Sequence, residues 1–434
     1  MLSFRNINNA TVIINDTFIF DPWIYGHVFY KMWRPYPNPE FNKNDLNKIK
    51  FCFISHVHQD HWDIDTIKYF RKDTKFFIPD LPYNYVISNT LRKKGFNKIV
   101  LLKMGEWNKI SNDFKISVIP PLNSEGAEVE NIKSEDDNHV AIDTGILINF
   151  LKDNSYHLLL GDNVPYDYNL YNKLYGKIKI TSLFFPHNGF ATDYPICYDN
   201  FSLKQKKKLS NLKAKKTEER IVSFIKKTKP KITIPFSAQF LINNSRFKDF
   251  NKINNEIFFH KDLYAQRIMK LTNIPSAILY SEDFLHYKNN TFTNVVNSTF
   301  YSRRKDSGFK INYLKNIPSL NKINLIGALN DSLEKYFNRL NKYKIKINFK
   351  KIKLIFNVNK NDNYVIDFEK KTVTKNNLPK NNFLKLKIKK NILLQILFKK
   401  LHINNCVVSF VLSWERKPNR YYKTFYNSLS FFHV

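Results

Sequence analysis

The segment "FISHVHQDHWDID", residues 53–65, constrains this chain more than any other part of its sequence. It places three histidines and an aspartate within six residues, directly after an apolar run, in the pattern HxHxDH. Alternate residues of an extended segment point the same way, so His56 and His58 can direct two imidazoles at one point. The chain then turns, so Asp60 and His61 suit a second position nearby. The pattern predicts a site for one or two divalent metal ions, with Zn favoured and Fe or Mn also suited to these ligands.

Further ligands are expected at the ends of later predicted strands. Asp162 follows the apolar run "HLLLG", where a carboxylate is placed to bridge two metals. His139 precedes the run "VAIDTGILINF", Asp143 lies within that run, and His187 follows "LFFP". A lone histidine at a strand end is ordinarily a loop residue, and the alternative for HxHxDH itself is a cluster of surface or helix-capping side chains. The rarity of the HxHxDH spacing argues for the metal site and makes the later residues candidates.

The composition indicates a globular protein with a broadly basic surface. The chain has 434 residues, 43% of them hydrophobic, and a net charge of +33. Lysine and asparagine are raised along the whole chain, so we interpret the charge as solvated surface and expect no specific nucleic-acid partner. No apolar window is long enough to span a bilayer, which predicts a soluble, cytoplasmic protein without a membrane span. The three cysteines are far apart, which argues against a disulfide framework or a CxxC metal site.

The texture of the sequence predicts two domains. Over residues 1–285, short strands rich in β-branched residues alternate with a few helices, including a long basic helix over residues 203–229, which indicates an α/β metal-binding domain. Residues 286–434 are richer in asparagine and lysine, and their strands alternate between apolar and polar residues, which indicates a smaller C-terminal α+β domain. From Cys406 onward we predict a strand followed by an aromatic helix.

These residues resemble the metallo-β-lactamase fold superfamily, whose hallmark is HxHxDH after a strand, followed by a histidine and a bridging aspartate. Within it the chain is similar to the lactonase-like branch, which contains the ascorbate-6-phosphate lactonases and N-acyl-phosphatidylethanolamine phospholipase D. It is more similar still to the metallo-β-lactamase-like part of the CMP-N-acetylneuraminate hydroxylases. "FDPWIYG", "HVAIDTGILINF" and "KITIPFSAQF" carry the resemblance outside the motif. The resemblance implies an αββα sandwich.

The resemblance also implies a ligand set. His56, His58 and His139 would hold one metal, Asp60 and His61 the other, and Asp162 would bridge them. His187 would be an extra ligand or a proton carrier. The hydroxylases carry a Rieske domain, but the scattered cysteines here lead us to expect no such cluster. The segment "IPFSAQF" lacks the terminal histidine that many hydrolases of the superfamily use, which leaves one metal or two open.

Three functions follow as hypotheses. The first is a metal-dependent hydrolase in which metal-activated water attacks a small anionic substrate such as a sugar phosphate, a nucleotide-sugar or a phosphodiester, with Asp60 orienting the water or acting as base. The second is an iron oxygenase like the hydroxylases, which would need a separate electron-transfer partner. The third is a non-catalytic metal-containing binding protein. The oligomeric state is left open.

Overall fold

The computed structural model describes residues 1–35, 39, 41–122, 142–165, 167–187, 193–237, 240–242, 261–296, 314, 316–347, 349, 352–359, 361–418 and 423–434. Contacts divide these residues into two compact units. The first unit draws its members from Met1–Asn123, Ile142–Phe190 and Ala214–Ile311, and the second from Ala191–Lys213 and Asn312–Val434. The domain boundary expected between residues 285 and 286 stays a prediction.

The first sheet of the first unit begins with a meander. Its strands are joined by tight turns in which Asn9, Asn15 and Asp16 have positive φ, a conformation that asparagine and aspartate tolerate better than most residues. The later strands run parallel to one another because longer connections return the chain to the same end of the sheet. Among the described residues the sheet has eight strands in the order Thr291–Val295, Phe284–Lys288, Leu2–Asn8, Thr11–Ile14, Phe18–Phe20, Phe51–Phe53, Lys75–Pro79 and Ile99–Leu102.

The second sheet of the first unit mixes an antiparallel half with a parallel half. Its described strands lie in the order Ile232–Phe236, Ser182–Pro186, Ser155–Leu159, Gly145–Phe150, Phe114–Ile119 and Trp107–Lys109. The first three of these are parallel, so their carboxyl ends meet at one edge. A further pair, Trp33–Pro35 with Phe240–Ile242, forms a small two-stranded sheet.

The two large sheets pack face to face. Phe4 of the first sheet lies against Phe184 of the second with ring centroids 5.1 Å apart, and Phe20 lies 6.1 Å from Phe236. Alternation along the strands sends Val12 into this central core and Ile13 to the opposite face. A second apolar cluster covers that outer face, and a third covers the outer face of the second sheet.

Helices cover both outer faces of the sandwich. Ile64–Ile67 and Tyr85–Lys93 contribute to the cluster outside the first sheet. Tyr168–Tyr175, the end of the long basic helix Leu203–Thr228, and Lys261–Thr272 contribute to the cluster outside the second. The layers are therefore helix, sheet, sheet, helix. The predicted α/β fold class with an αββα sandwich is confirmed, and so is the long basic helix.

The second unit is built on its own five-stranded sheet. Its described strands lie in the order Thr372–Lys375, Asp362–Asp367, Lys353–Asn359, Phe383–Lys387 and Ser413–Lys417. Its described helices are Asp193–Ile196, Leu325–Lys342, Lys390–Leu397, Ile403–Val408 and Lys423–Ser428, together with the start of Leu203–Thr228. An aromatic cluster that includes Tyr336, Phe349 and Phe368 fills its core.

One detail of the C-terminal prediction is wrong. The apolar run that begins at Cys406 was expected to be a strand, but Ile403–Val408 forms a short helix and the strand begins only at Ser413. A short apolar run has too few residues for its periodicity to separate a buried helix from a buried strand. In the described part of the chain, none of the helices combines the length and apolarity that crossing a bilayer requires.

Gly145 sets how closely two strands that lead into the candidate site approach. A Cβ built on Gly145 would lie 2.8 Å from the Leu159 carbonyl oxygen and 3.2 Å from the Leu160 Cα, both backbone atoms that cannot rotate away. Asp143 lies two residues before Gly145, and Asp162 lies two residues after Leu160. The glycine therefore permits the close packing that brings these two carboxylates to one edge.

We predict that Gly145→Ala lowers the free energy of unfolding by about 1–3 kcal/mol, because the added methyl group overpacks the strand pair. Calorimetric unfolding of the full chain measures the effect. Gly327→Ala is the control, since its Cβ would meet only the Asn324 side chain, at 3.6 Å and beyond. That helical substitution should be neutral or stabilising by up to about 1 kcal/mol. Equal losses in the two variants would contradict the role of Gly145.

Candidate metal centre

The HxHxDH motif occupies the carboxyl end of strand Phe51–Phe53. His56 follows in a bend and His58 in extended backbone, and a 3₁₀ turn over Gln59–His61 carries the remaining two motif residues. Asp63 then caps helix Ile64–Ile67 by accepting hydrogen bonds from two backbone N–H groups, which fixes where the turn ends. The local sequence thus forms a strand, a tight turn and a capped helix, with the imidazoles held at the turn.

The imidazoles converge as the motif predicts. Nε2 of His56 lies 2.8 Å from Nδ1 of His58, and the rings of His56 and His61 have centroids 4.1 Å apart. Both His56 and His61 are fully buried. At 2.8 Å, the facing ring nitrogens of His56 and His58 need a proton or a metal ion between them, because two lone pairs would otherwise repel each other.

A first group of possible metal ligands consists of His56, His58 and Asp143. One ligand atom from each lies within 4.8 Å of the other two. Nε2 of His56 is 3.5 Å from Oδ1 of Asp143. Asp143 lies two residues before the second-sheet strand Gly145–Phe150, so this group combines residues that follow a first-sheet strand with one that precedes a second-sheet strand.

A second group consists of His56, His61 and Asp162, again with ligand atoms within 4.8 Å of one another. Nε2 of His61 lies 3.3 Å from Oδ2 of Asp162 and 3.4 Å from Oδ2 of Asp60. Asp162 reaches this place through Gly161, whose φ of 60° turns the chain at the end of its strand. His56 belongs to both groups, so the two positions adjoin.

The surroundings of His61 fit a metal ion. Its buried Nε2 forms no well-directed hydrogen bond within the described residues and faces the carboxylate oxygens of Asp60 and Asp162 at 3.4 and 3.3 Å, so a cation shared by the three groups would complete their contacts. The donors around it are imidazoles and carboxylates, which suit Zn, Fe and Mn. The residues present therefore fit one or two divalent ions.

A buried carboxylate orients the histidines from behind. Oδ2 of Asp21 lies 2.7 Å from Nδ1 of His61, and Asp21 also accepts hydrogen bonds of 2.7 Å from the backbone N–H and the hydroxyl of Ser55. Oγ of Ser55 in turn lies 2.9 Å from Nδ1 of His56. Asn9 donates a hydrogen bond of 3.2 Å to Oδ2 of Asp60. Such contacts fix the tautomer and the direction of ligating rings and carboxylates.

Burial and neighbouring charges shift the pKa values of His56 and His61 in opposite directions. Burial lowers the pKa of His56 well below its ordinary value, and the adjacent His61 and His58 lower it further. Burial would also lower the pKa of His61, but Asp60, Asp162 and Asp21 outweigh it and raise that pKa well above the ordinary value. Burial raises the pKa of Asp21. The surrounding carboxylates therefore favour positive charge at His61, and burial favours a neutral imidazole at His56.

Two predicted site residues, His139 and His187, are in neither of the described ligand groups. His139 lies outside the described residues. His187 is buried at the end of strand Ser182–Pro186, with Nδ1 3.2 Å from the Phe236 carbonyl oxygen. Burial, with a contribution from Lys261, lowers the pKa of His187 to about 3. His187 is absent from both described ligand groups, and its role as a ligand or proton carrier stays a prediction.

Sequence reasoning did not assign four supporting residues. Asp143 was named among the later candidates but was given no place in the ligand set, and Asp21, Ser55 and Asn9 were given no role. An aspartate at the end of a buried strand, as in "FIFDP", is the signal that would have identified Asp21, since a buried carboxylate needs partners. Asn9 gave no signal, because asparagine is common in turns.

The αββα sandwich and the position of HxHxDH at the end of a first-sheet strand define the metallo-β-lactamase fold, as the sequence resemblance implies. No family model matches the chain. It is 24% identical, over 242 residues, to the cytidine monophosphate-N-acetylneuraminic acid hydroxylase of Danio rerio, covering 51% of this chain and 35% of that protein. The chain spans 32% to 43% of the length of the curated relatives that it matches.

Two solved structures have 14% and 16% sequence identity to this chain. The isothiocyanate hydrolase from Delia radicum gut bacteria has a TM-score of 0.42 and 16% identity, over 66% of this chain and 98% of that one. CmlA, a diiron beta-hydroxylase from Streptomyces venezuelae, has a TM-score of 0.43 and 14% identity, over 68% of this chain and 54% of that one.

We predict that His58→Ala and Asp143→Asn each lower the metal content of the purified chain, because each removes a donor from the first ligand group. Elemental analysis of protein prepared without chelators measures the content. His286→Ala and Asp113→Asn are matched controls outside the two ligand groups. Full metal content in Asp143→Asn would show that Asp143 is not a ligand.

We predict that Asp21→Asn weakens metal binding by about 10–100-fold, because the amide no longer holds the His61 ring as a carboxylate does. A competitive titration with a coloured chelator gives the affinity. Asp16→Asn, in the exposed turn of the same hairpin, should bind metal like the parent chain. An unchanged affinity in Asp21→Asn would remove Asp21 from the site.

Proposed function

We propose that this chain is a metal-dependent hydrolase that acts on a small anionic substrate. The observation that carries the proposal is the cluster of three histidines and three aspartates, buried except at His58 and Asp162, in which Nε2 of His61 faces two carboxylates. Cysteine is absent from both described ligand groups, which distinguishes them from the closed cysteine sites of structural zinc.

The proposed ligands fall into two sets, one for each metal ion. His56, His58 and Asp143 would hold one divalent ion, with His139 as the additional ligand that the family resemblance implies. Asp60 and His61 would hold a second ion, and Asp162 would bridge the two. When bound, such ions lower the pKa of a coordinated water and polarise a carbonyl or phosphoryl group.

Asp60 has the position of a base or a water-orienting group. It is 4% exposed and lies beside His61, and the Asn9 amide fixes one of its oxygens. A carboxylate held from one side by an amide keeps its other oxygen in a defined direction, which is what proton transfer requires. His187 is the second residue to which we assign proton transfer; burial lowers its pKa to about 3, so near neutral pH its imidazole is neutral and would act as a proton acceptor.

The anionic class of the substrate is supported by charge. The chain carries a net charge of +33, and a basic field raises the local concentration of anions and their association rate. The sugar phosphates, nucleotide-sugars and phosphodiesters that the family resemblance implies share this charge. Salt should weaken productive encounter with all of them.

An oxygenase is the second candidate, and the similarity to hydroxylases over 242 residues favours it. The Asp143 carboxylate adds an oxygen donor to the two imidazoles of the first ligand group, and oxygen donors suit iron. Oxygen chemistry would need electrons from a centre outside the described residues, whose three cysteines are each buried and free.

One experiment separates the two candidates. Chelator-free protein is analysed for Zn, Fe and Mn, and the same preparation is assayed against phosphodiesters, nucleotide-sugars and lactones with and without a reductant under air. Zn or Mn with turnover independent of oxygen supports the hydrolase. Iron with oxygen-dependent turnover that needs the reductant overturns it in favour of the oxygenase.

We predict that Asp60→Asn lowers kcat on the identified substrate by about 10²–10⁴-fold, because the amide cannot accept a proton. Steady-state kinetics measure the loss, and elemental analysis of the same protein shows whether metal was lost with it. Asp153→Asn, on the loop before strand Ser155–Leu159, is the matched control and should keep the parent kcat. Parent-like turnover in Asp60→Asn would exclude Asp60 as the base.

A further inference from the structure

Ser237 is a buried hydroxyl residue at the edge of the second sheet that also leads to Asp162. It directly follows strand Ile232–Phe236 and is fully enclosed. That strand runs parallel to Ser182–Pro186, which in turn runs parallel to Ser155–Leu159, the strand before Asp162. Residues that follow neighbouring parallel strands meet at one edge of the sheet. Ser237 therefore lies at the edge from which the metal centre takes a second-sheet carboxylate.

The backbone of Ser237 has a conformation that serine rarely adopts. Its φ is 63°, in the left-handed region where a residue with a Cβ is strained and glycine is not. A hydrogen bond of 2.9 Å holds this conformation, from the Ser237 N–H to the carbonyl oxygen of Asn9 in a turn of the first sheet. Strained residues of this kind cluster at functional sites. A serine where glycine would be free of strain indicates a role for the side chain.

The Ser237 hydroxyl lies beside the Asp162 carboxylate. It forms no well-directed hydrogen bond within the described residues, although most buried hydroxyls have a partner. Burial alone would raise the pKa of Asp162, but two neighbouring imidazoles and the Ser237 hydroxyl lower it below its ordinary value. An ionised carboxylate can only accept hydrogen bonds, so the hydroxyl acts on Asp162 as a donor.

Ser237 and Asn9 together connect the two carboxylates that flank His61. The Ser237 N–H donates to the Asn9 carbonyl oxygen, and the Asn9 amide donates a hydrogen bond of 3.2 Å to Oδ2 of Asp60. Oδ2 of Asp60 and Oδ2 of Asp162 lie 3.4 and 3.3 Å from Nε2 of His61. Asn9 thus contacts the carboxylate that follows a first-sheet strand, and Ser237 lies beside the one that follows a second-sheet strand.

We propose that Ser237 is a positioning residue, which donates a hydrogen bond to one oxygen of Asp162 and leaves the other oxygen to face His61. Through its backbone bond to Asn9, Ser237 also fixes the spacing between Asp162 and Asp60. It acts through these aspartates, as the outer partners of metal ligands do. The role rests on the proposed function, because it requires that a divalent ion bind between the two carboxylates and His61.

Titration of Zn²⁺ into the metal-free full chain, in competition with a coloured chelator, tests this role. Ser237→Ala and Ser237→Gly both lack the hydroxyl, and we expect each to weaken the binding of at least one Zn²⁺ ion about 10–100-fold. Ser237→Thr keeps the hydroxyl, so we expect its Zn²⁺ affinity to stay within about threefold of that of the parent chain.

Thermal unfolding of the same metal-free proteins separates positioning from stability. Ser237→Gly should unfold at a higher temperature than Ser237→Ala and Ser237→Thr, because glycine alone is unstrained at this φ. The most stable of the three variants would then bind Zn²⁺ more weakly than the strained threonine variant, which a merely structural role does not produce. Lys229→Gly is the control, since Lys229 is exposed and has a φ of 46°. It should also raise the unfolding temperature, with the Zn²⁺ affinity unchanged.

His58→Ala distinguishes a failure of this role from a failure of the proposed function. If His58→Ala loses metal while Ser237→Ala and Ser237→Gly bind Zn²⁺ like the parent chain, the role of Ser237 is overturned and the metal centre stands. If His58→Ala keeps its full metal content, the metal centre is overturned and the role of Ser237 with it. Zn²⁺ affinities that follow the unfolding temperatures of the three Ser237 variants would also overturn the role.

Discussion

The buried Asp21 carboxylate is the interaction on which the metal centre depends. It is fully enclosed and accepts three hydrogen bonds of 2.7 Å, two from Ser55 and one involving His61. Burying a carboxylate costs several kcal/mol unless such partners compensate it, so the hairpin that ends at Asp21 and the strand that leads to Ser55 are held in one register. The direction of the His56 and His61 rings follows from that register, and the two ligand groups follow from those directions.

The fold explains why the remaining ligands come from distant segments. The segment that follows strand Phe51–Phe53 lies close to two carboxylates of the second sheet. Asp162 follows strand Ser155–Leu159, and Asp143 precedes strand Gly145–Phe150. Asp143 and Asp162 each contribute one carboxylate beside a strand end, and the packed sheets fix their distances from the motif. A rigid two-sheet core can therefore hold a cluster of like charges that no single segment would hold alone.

Local patterns predicted much of this, and long-range pairing set the limit. HxHxDH and Asp162 could be placed after strands from the sequence because each follows an apolar run directly, and their roles as ligands stay a prediction. Asp143 was passed over as a ligand because its strand begins only at Gly145, so that residue lies at the end of a loop and not within a strand. Strand order across the first sheet, in which Phe284–Lys288 pairs with Leu2–Asn8, leaves no trace in hydrophobic periodicity. Hydrophobic periodicity also failed over the short segment Ile403–Val408, which is a helix although a strand was predicted from Cys406 onward.

The charge of the metal centre places a condition on its substrate. Four carboxylates, those of Asp21, Asp60, Asp143 and Asp162, surround three imidazoles in a chain that is otherwise strongly basic. With only a proton at His61 to offset them, the cluster is negative and would repel the anion that the distant lysines attract. Divalent cations would neutralise the carboxylates locally and leave the basic field of the chain to act on the substrate. The proposed anionic substrate therefore requires that the metal centre be occupied, since the cluster without metal would repel it.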